Sequence, residues 1–205
     1  MDVELKEVLT HIVQDSRLQA GFLAALSELE NCGAKKIMRY QTRSNTDLSL
    51  LQHAAEEARH AYFFQKQACK LGVPMSSPWL DGRRRRYLDR LELFIARCLS
   101  SESSVATREG CYVLTTYYIE KRATWLYTCY EEVLAAYGAP FSLQSILREE
   151  VGHLDEMEQM KQKLGLSTEI KREIQDFELT LFTEWVSHMQ DRLQEVLRER
   201  KKKAP

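Results

Sequence analysis

The chain can turn sharply at very few places. Gly72-Val73-Pro74, Ser77-Pro78, Gly138-Ala139-Pro140 and Gly165 are its main breakers. With 8 glycines and 4 prolines in 205 residues, it carries about half the usual share of these residues. A sheet protein of this length needs many tight turns, and tight turns use Gly and Pro. The chain is therefore expected to be all-α, with long helices, few connections and one core-bearing domain spanning residues 1–205.

Helical periodicity places the elements. The first helix is expected from about Val3, or from after Asp15-Ser16, to near Tyr40. Ala20, Leu23, Leu26, Ala34 and Ile37 fall on one of its faces. Ser44 to Asp47 form a loop and cap, and a second helix follows from about Leu48 to Leu71. Residues 73–104 are too long for a tight turn. Leu88, Leu91, Ile95 and Leu99 recur there at helical spacing, so a crossover helix is expected from about Trp79 to Leu99. A third helix is expected over about Val105 to Tyr137, a fourth over Ser142 to Gly165 and a fifth over Thr168 to Arg198, followed by a frayed tail. Short loops join the first pair and the third to the fourth. The pattern is two antiparallel hairpins joined by one long crossover, with an extra C-terminal helix that covers the hairpins or forms a homodimer interface.

Charge and cysteine usage narrow the functions. Lys plus Arg number 29 against 30 Asp plus Glu, a formal net charge of -1, which argues against nucleic-acid binding through a global basic field. A local patch is still open: Arg83-Arg84-Arg85-Arg86 opens the crossover helix and is either a solvated face or a phosphate-binding patch. No apolar run approaches the roughly 18 residues of a membrane span. The N-terminal stretch MDVELKEVLTHIVQD is acidic and amphipathic, unlike a signal peptide. Five irregularly spaced cysteines without a CxxC suggest neither a disulfide framework nor a thiolate zinc site. A reducing, cytoplasmic setting is expected.

Two segments repeat each other: Glu56-Glu57-Ala58-Arg59-His60 and Glu149-Glu150-Val151-Gly152-His153. Each contains Glu-x-x-His, and residues three apart share a helical face, so carboxylate and imidazole can grip one metal ion. At 100° per residue, Glu57 shares its face with Leu50, His53, Ala54, Ala61 and Phe64, and Glu150 with Leu143, Ile146, Leu154 and Met157. Glu56 and Glu149 fall at the edge of those stripes. Glu30 lies on the apolar face of the first helix while Glu28 lies opposite it. Glu120 shares a face with Val113, Thr116, Tyr117, Ala123, Thr124 and Tyr127. Four helices thus each turn one Glu inward and two add a His, a donor set suited to two iron ions or to a manganese–iron pair. His53 is read as packed beside this set or hydrogen-bonded to it, with a role as a third ligand also open. Thr116, Tyr117 and Thr124, with Tyr127, put hydroxyls beside Glu120 that either position dioxygen chemistry or simply pack. His11 and His188 lack such a context.

The pattern Glu30 … Glu57-x-x-His60 … Glu120 … Glu150-x-x-His153 resembles the ferritin-like di-iron carboxylate superfamily over residues 16–165, with residues 168–198 as an additional helix. That resemblance implies that Glu57 and Glu150 bridge two metals, with Glu30 and His60 completing one site and Glu120 and His153 the other. The stretches from Gly33 to Tyr40, Glu56 to His60 and Tyr118 to Ala123 look like the tRNA-modifying hydroxylase branch, and the quinone-hydroxylase branch also has a Gly-Ala pair just after its first Glu. The implied activity is an oxygen-activating di-iron hydroxylase or oxidase. It would act on a small molecule or a tRNA and take electrons from a separate reductase or ferredoxin. A rubrerythrin-like peroxide reductase without its rubredoxin module, a ferritin-type storage protein and a metal-free helical interaction module are the alternatives.

Overall fold

A computed structural model describes residues 2–41, 47–73, 83–100 and 107–203. Among them there are seven helices and no strand: α1 Asp2–Val13, α2 Ser16–Gln41, α3 Leu48–Lys70, α4 Arg83–Ser100, α5 Thr107–Ala136, α6 Gln144–Lys163 and α7 Thr168–Lys203. The all-α class expected from the scarcity of breakers is observed. Among the described residues no helix is long and apolar enough to cross a membrane. None of the five cysteines forms a disulfide.

Local chemistry sets the boundaries. The first expected helix is two helices, because Asp15 caps α2: its Oδ1 accepts from the backbone N–H groups of Arg17 and Leu18 at 3.0 Å each. Asp47 does the same for α3, accepting from the Ser49 N–H at 2.8 Å. Gly138 ends α5 with φ 63°, and the Ala139 N–H reaches back to the Leu134 carbonyl at 3.0 Å. That closure needs a left-handed residue, which glycine supplies without steric cost. The expected start of the crossover helix at Trp79, with its Ser77-Pro78 cap, lies outside the described residues. At the other end the fraying expected of the tail is not seen, since α7 continues to Lys203. No breaker stands between Arg198 and Lys203, and cations at a helix C-terminus interact favourably with the helix dipole.

The chain divides into two compact units. One comprises Met1–Val8, Asp81–Cys129 and Glu150–Pro205. Its core joins Leu91, Ile95 and Leu99 of α4 to Leu114 and Tyr118 of α5 and to Ile174 and Leu181 of α7. Phe94 and Phe177 stack at 3.9 Å between ring centroids. The crossover helix is therefore a core element of this unit, and the C-terminal helix packs its apolar stripe onto it. That stripe also buries a charge, because Glu178 is fully enclosed. It accepts two hydrogen bonds from the Arg122 guanidinium on α5 and one from the Tyr87 hydroxyl on α4. Arg122 also lies over the Phe182 ring at 4.3 Å. Burial, followed by the Glu178 charge, pushes the Tyr87 hydroxyl well above its ordinary value.

The second unit comprises Leu9–Leu80 and Tyr130–Glu149. Here α2 and α3 pair antiparallel. The Ser27 hydroxyl donates to the Ala61 carbonyl at 2.7 Å near one end, and the Gln41 side chain donates to the Asp47 carbonyl at 3.0 Å near the other. Phe22 meets Tyr130 edge-on at 5.2 Å. Glu131 holds the start of α6 by accepting from the Ser142 hydroxyl and the Leu143 N–H, each at 2.6 Å.

Removing one partner of a buried ion pair strands the other. Arg122→Met is expected to cost about 3–5 kcal/mol in urea denaturation, and the double variant Arg122→Met/Glu178→Leu to regain most of it. A single variant costing under about 1 kcal/mol would mean that the pair is effectively solvated.

Candidate metal centre

Within the α2–α3 pair, Glu30, Glu57 and His60 each bring a ligand atom to within 4.8 Å of the others. All three are at most 5% exposed. The helical phase explains which glutamate takes part: Glu30 follows the Leu23, Leu26, Ala34 and Ile37 stripe inward, and Glu28 is exposed. Their close approach depends on Gly33, because a Cβ there would stand 2.9 Å from Glu57 Oε2. A glycine in mid-helix is costly to helix stability. Here it makes the space in which the carboxylate sits. His53, one turn before Glu57, places its Nε2 3.4 Å from Glu57 Oε1.

Burial opposes ionisation of Glu57. Hydrogen bonds from His53 and Glu30 and the charges of His53 and His60 outweigh it, so its carboxyl is held below the usual carboxylate range. Carboxyl groups this close cannot all ionise cheaply without a cation. His60 is oriented from behind: its Nε2 meets Glu149 Oε2 at 2.6 Å, and Arg59 reaches the same oxygen at 2.7 Å. Burial opposes ionisation of Glu149 too, but His60 and Arg59 together hold its carboxyl low. With a carboxylate accepting the Nε2 proton, the lone pair of a neutral His60 stands on Nδ1, the usual division of labour in a metal-bound histidine.

The other unit repeats the motif. Glu120, Glu150 and His153 are buried to 3%, 1% and 4% exposure. His153 Nδ1 stands 4.0 Å from Glu120 Oε2, so this histidine also offers Nδ1 toward a carboxylate. Thr116 and Tyr127 are buried nearby on α5. The Thr124 Oγ1 is buried with no hydrogen-bond partner among the described residues. Tyr117 is placed differently from the expectation beside Glu120. Lys161 lies 3.5 Å from its ring centroid, and its hydroxyl pairs with Glu158. The side chains of Arg83, Arg84, Arg85 and Arg86 lie outside the described residues. His11 is exposed and His188 is partly exposed.

Each unit thus holds carboxylates and an imidazole away from water, a hard-oxygen and borderline-nitrogen set that fits iron or manganese. The space left at Gly33 supports the same fit. Sequence reading did not anticipate the part played by Gly33, Glu149 or Glu178. Glu149 has a signal in its position at the edge of the Glu150 stripe, within reach of a partner helix. Comparison with family profiles, with curated proteins and with solved structures finds no match.

Gly33→Ala separates the site from the fold. The three atoms nearest the new methyl all belong to the flexible end of Glu57, so the melting temperature is expected to hold or rise slightly, since alanine favours helix by up to ~1 kcal/mol. Affinity for ferrous or manganous ion is expected to fall at least about tenfold, as carboxylate displacement typically costs. Unchanged metal affinity in isothermal titration would mean that Glu57 needs no such space.

Proposed function

We propose that the chain is a ferritin-like di-iron oxidoreductase that activates dioxygen to hydroxylate or oxidise an organic substrate. In this reading Glu30, Glu57 and His60 hold one side of the metal pair, and Glu120, Glu150 and His153 hold the other. The observation that carries it is the buried convergence of Glu30, Glu57 and His60 around the gap left by Gly33. The Glu120 and His153 pair in the other unit supports it independently. Buried carboxylates need a compensating partner, and two of them with an imidazole at metal-ligand spacing are best explained by a cation.

The chemistry that a pair of ferrous ions supplies when bound is the two-electron reduction of dioxygen. The chain's own residues do the rest. Glu149 fixes the tautomer and ring orientation of His60, with Arg59 holding Glu149 from the solvent side. The apolar walls around both motifs exclude water from the reaction. In this reading Thr116 and Thr124, four residues either side of Glu120 on α5, would donate hydrogen bonds beside it, and His53, with its Nε2 3.4 Å from Glu57 Oε1, would steady that carboxylate. Without a CxxC pair the chain has no rubredoxin-type centre of its own, so its electrons come from a separate reductase or ferredoxin. The substrate is a small molecule or a tRNA, and the balanced charge favours the small molecule.

Anaerobic reconstitution with ferrous iron followed by metal analysis is expected to give about two ions per chain, as in di-iron bundles. Glu57→Ala and Glu150→Ala should abolish binding of the pair, while Glu28→Ala leaves it unchanged. Because protons compete with a cation for imidazole and carboxylate ligands, uptake should weaken as pH falls. A folded protein that retains no transition metal overturns the proposal. A cage-sized native mass with iron turnover but no oxidised organic product would turn it toward storage.

A further inference from the structure

The inward face of α3 carries three donors, His53, Glu57 and His60, four and three residues apart. All are buried, at 2%, 4% and 1% exposure. His53 precedes Glu57 by one turn and His60 follows it by one turn. At about 1.5 Å per residue, their Cα atoms stand about 6 Å and about 4.5 Å to either side of it along the helix axis. One carboxylate therefore has an imidazole on each side. The motif on α6 has no such residue before its glutamate, because Ile146, apolar and 3% exposed, stands four positions before Glu150. An apolar residue suffices to fill an inward position, so an imidazole kept there implies a use for its nitrogens.

The spacing indicates that use. His53 Nε2 is 3.4 Å from Glu57 Oε1, longer than the roughly 2.7–3.2 Å of a well-formed N–H···O bond. Two donors held about 2.1 Å from one divalent ion, at an angle of about 90–110°, stand roughly 3.0–3.4 Å apart. His53 and Glu57 thus already have the separation of neighbouring ligands on one cation.

We propose that His53 is itself a metal ligand through Nε2, a donor beyond the six of the di-iron reading, on which this inference rests. Steadying Glu57 before metal binds and sharing an ion with it afterwards are successive roles of one ring. A neutral imidazole coordinates through the lone pair of one ring nitrogen and keeps its proton on the other, so metal-bound His53 carries its proton on Nδ1. His60 has the opposite arrangement, because Glu149 accepts at its Nε2. Standing on opposite sides of Glu57, the two rings serve different ions of the pair. The ion that His53 joins has one nitrogen donor more than the six-ligand pattern gives it, and imidazole suits iron. The two positions are then unequal in affinity and fill in turn.

Cobaltous ion is the probe, because it shifts the ring N–H proton of each imidazole bound to it far outside the ordinary proton NMR range. The full chain carries His11→Gln and His188→Gln, which leaves His53, His60 and His153 as its only histidines. An unchanged melting temperature checks its fold, and ¹⁵N-labelled histidine identifies the ring N–H signals. Loaded with cobalt, it is expected to show three shifted signals. Adding His53→Gln, which keeps a donor for Glu57 but offers no ring nitrogen, is expected to remove one of them. The same change should weaken uptake of one cobalt ion at least about tenfold in isothermal titration and leave the other ion's affinity unchanged. Two shifted signals before His53 is replaced, or uptake unaltered by His53→Gln, overturn the proposal and leave the six-ligand pair standing. Fewer than two in a folded, cobalt-treated chain sink the di-metal reading and this inference with it. If His53→Gln fails to fold, the count in the three-histidine chain decides alone.

Discussion

The Glu57 carboxyl group, enclosed between two helices, is the constraint on which the rest of the α2–α3 pair depends. Burial works against its charge, so the surroundings must supply compensation. They do so with His53 one turn back, Glu30 across the seam and His60 one turn on. They also give up a side chain at Gly33 so that the carboxylate has space. A fold selected for stability alone would have placed an apolar residue at position 57, because replacing buried charges by well-packed hydrophobic residues is often neutral or stabilising. Retaining the charge, the gap and the oriented imidazole together points to a ligand that needs all three.

The unit that holds α4, α5 and α7 obeys the same logic with different means. Glu178 is as deeply enclosed as any ligand candidate, yet it is satisfied by a two-pronged arginine and a tyrosine hydroxyl. A carboxylate with such partners is structural, tying α4, α5 and α7 together. Glu120 and His153 face each other with 4.0 Å between Oε2 and Nδ1, a distance too long for a direct hydrogen bond.

Much of this was legible in the residues, for reasons that differ by element. A step of 100° per residue puts Glu30 inside and Glu28 outside because α2 has one clear apolar stripe. The same reasoning is weak on α5, where five consecutive residues from Tyr112 to Thr116 are all buried. A helix enclosed on several sides has no single inward direction, so Tyr117 could turn toward Lys161 and Glu158 instead of Glu120. Glu178 interrupts an apolar stripe between Ile174 and Leu181, a signal that periodicity contains but that does not name its partners. The approach of Gly33 to Glu57 lies between helices, and no pattern along one helix encodes it.

Anomalous diffraction at the iron edge, from crystals grown anaerobically with ferrous iron, tests the central claim most directly. The account predicts two anomalous peaks per chain, with Glu30, Glu57, His60, Glu120, Glu150 and His153 as their protein ligands. Iron confined to surface carboxylates, with Glu57 still hydrogen-bonded to Glu30 and His53, would contradict it.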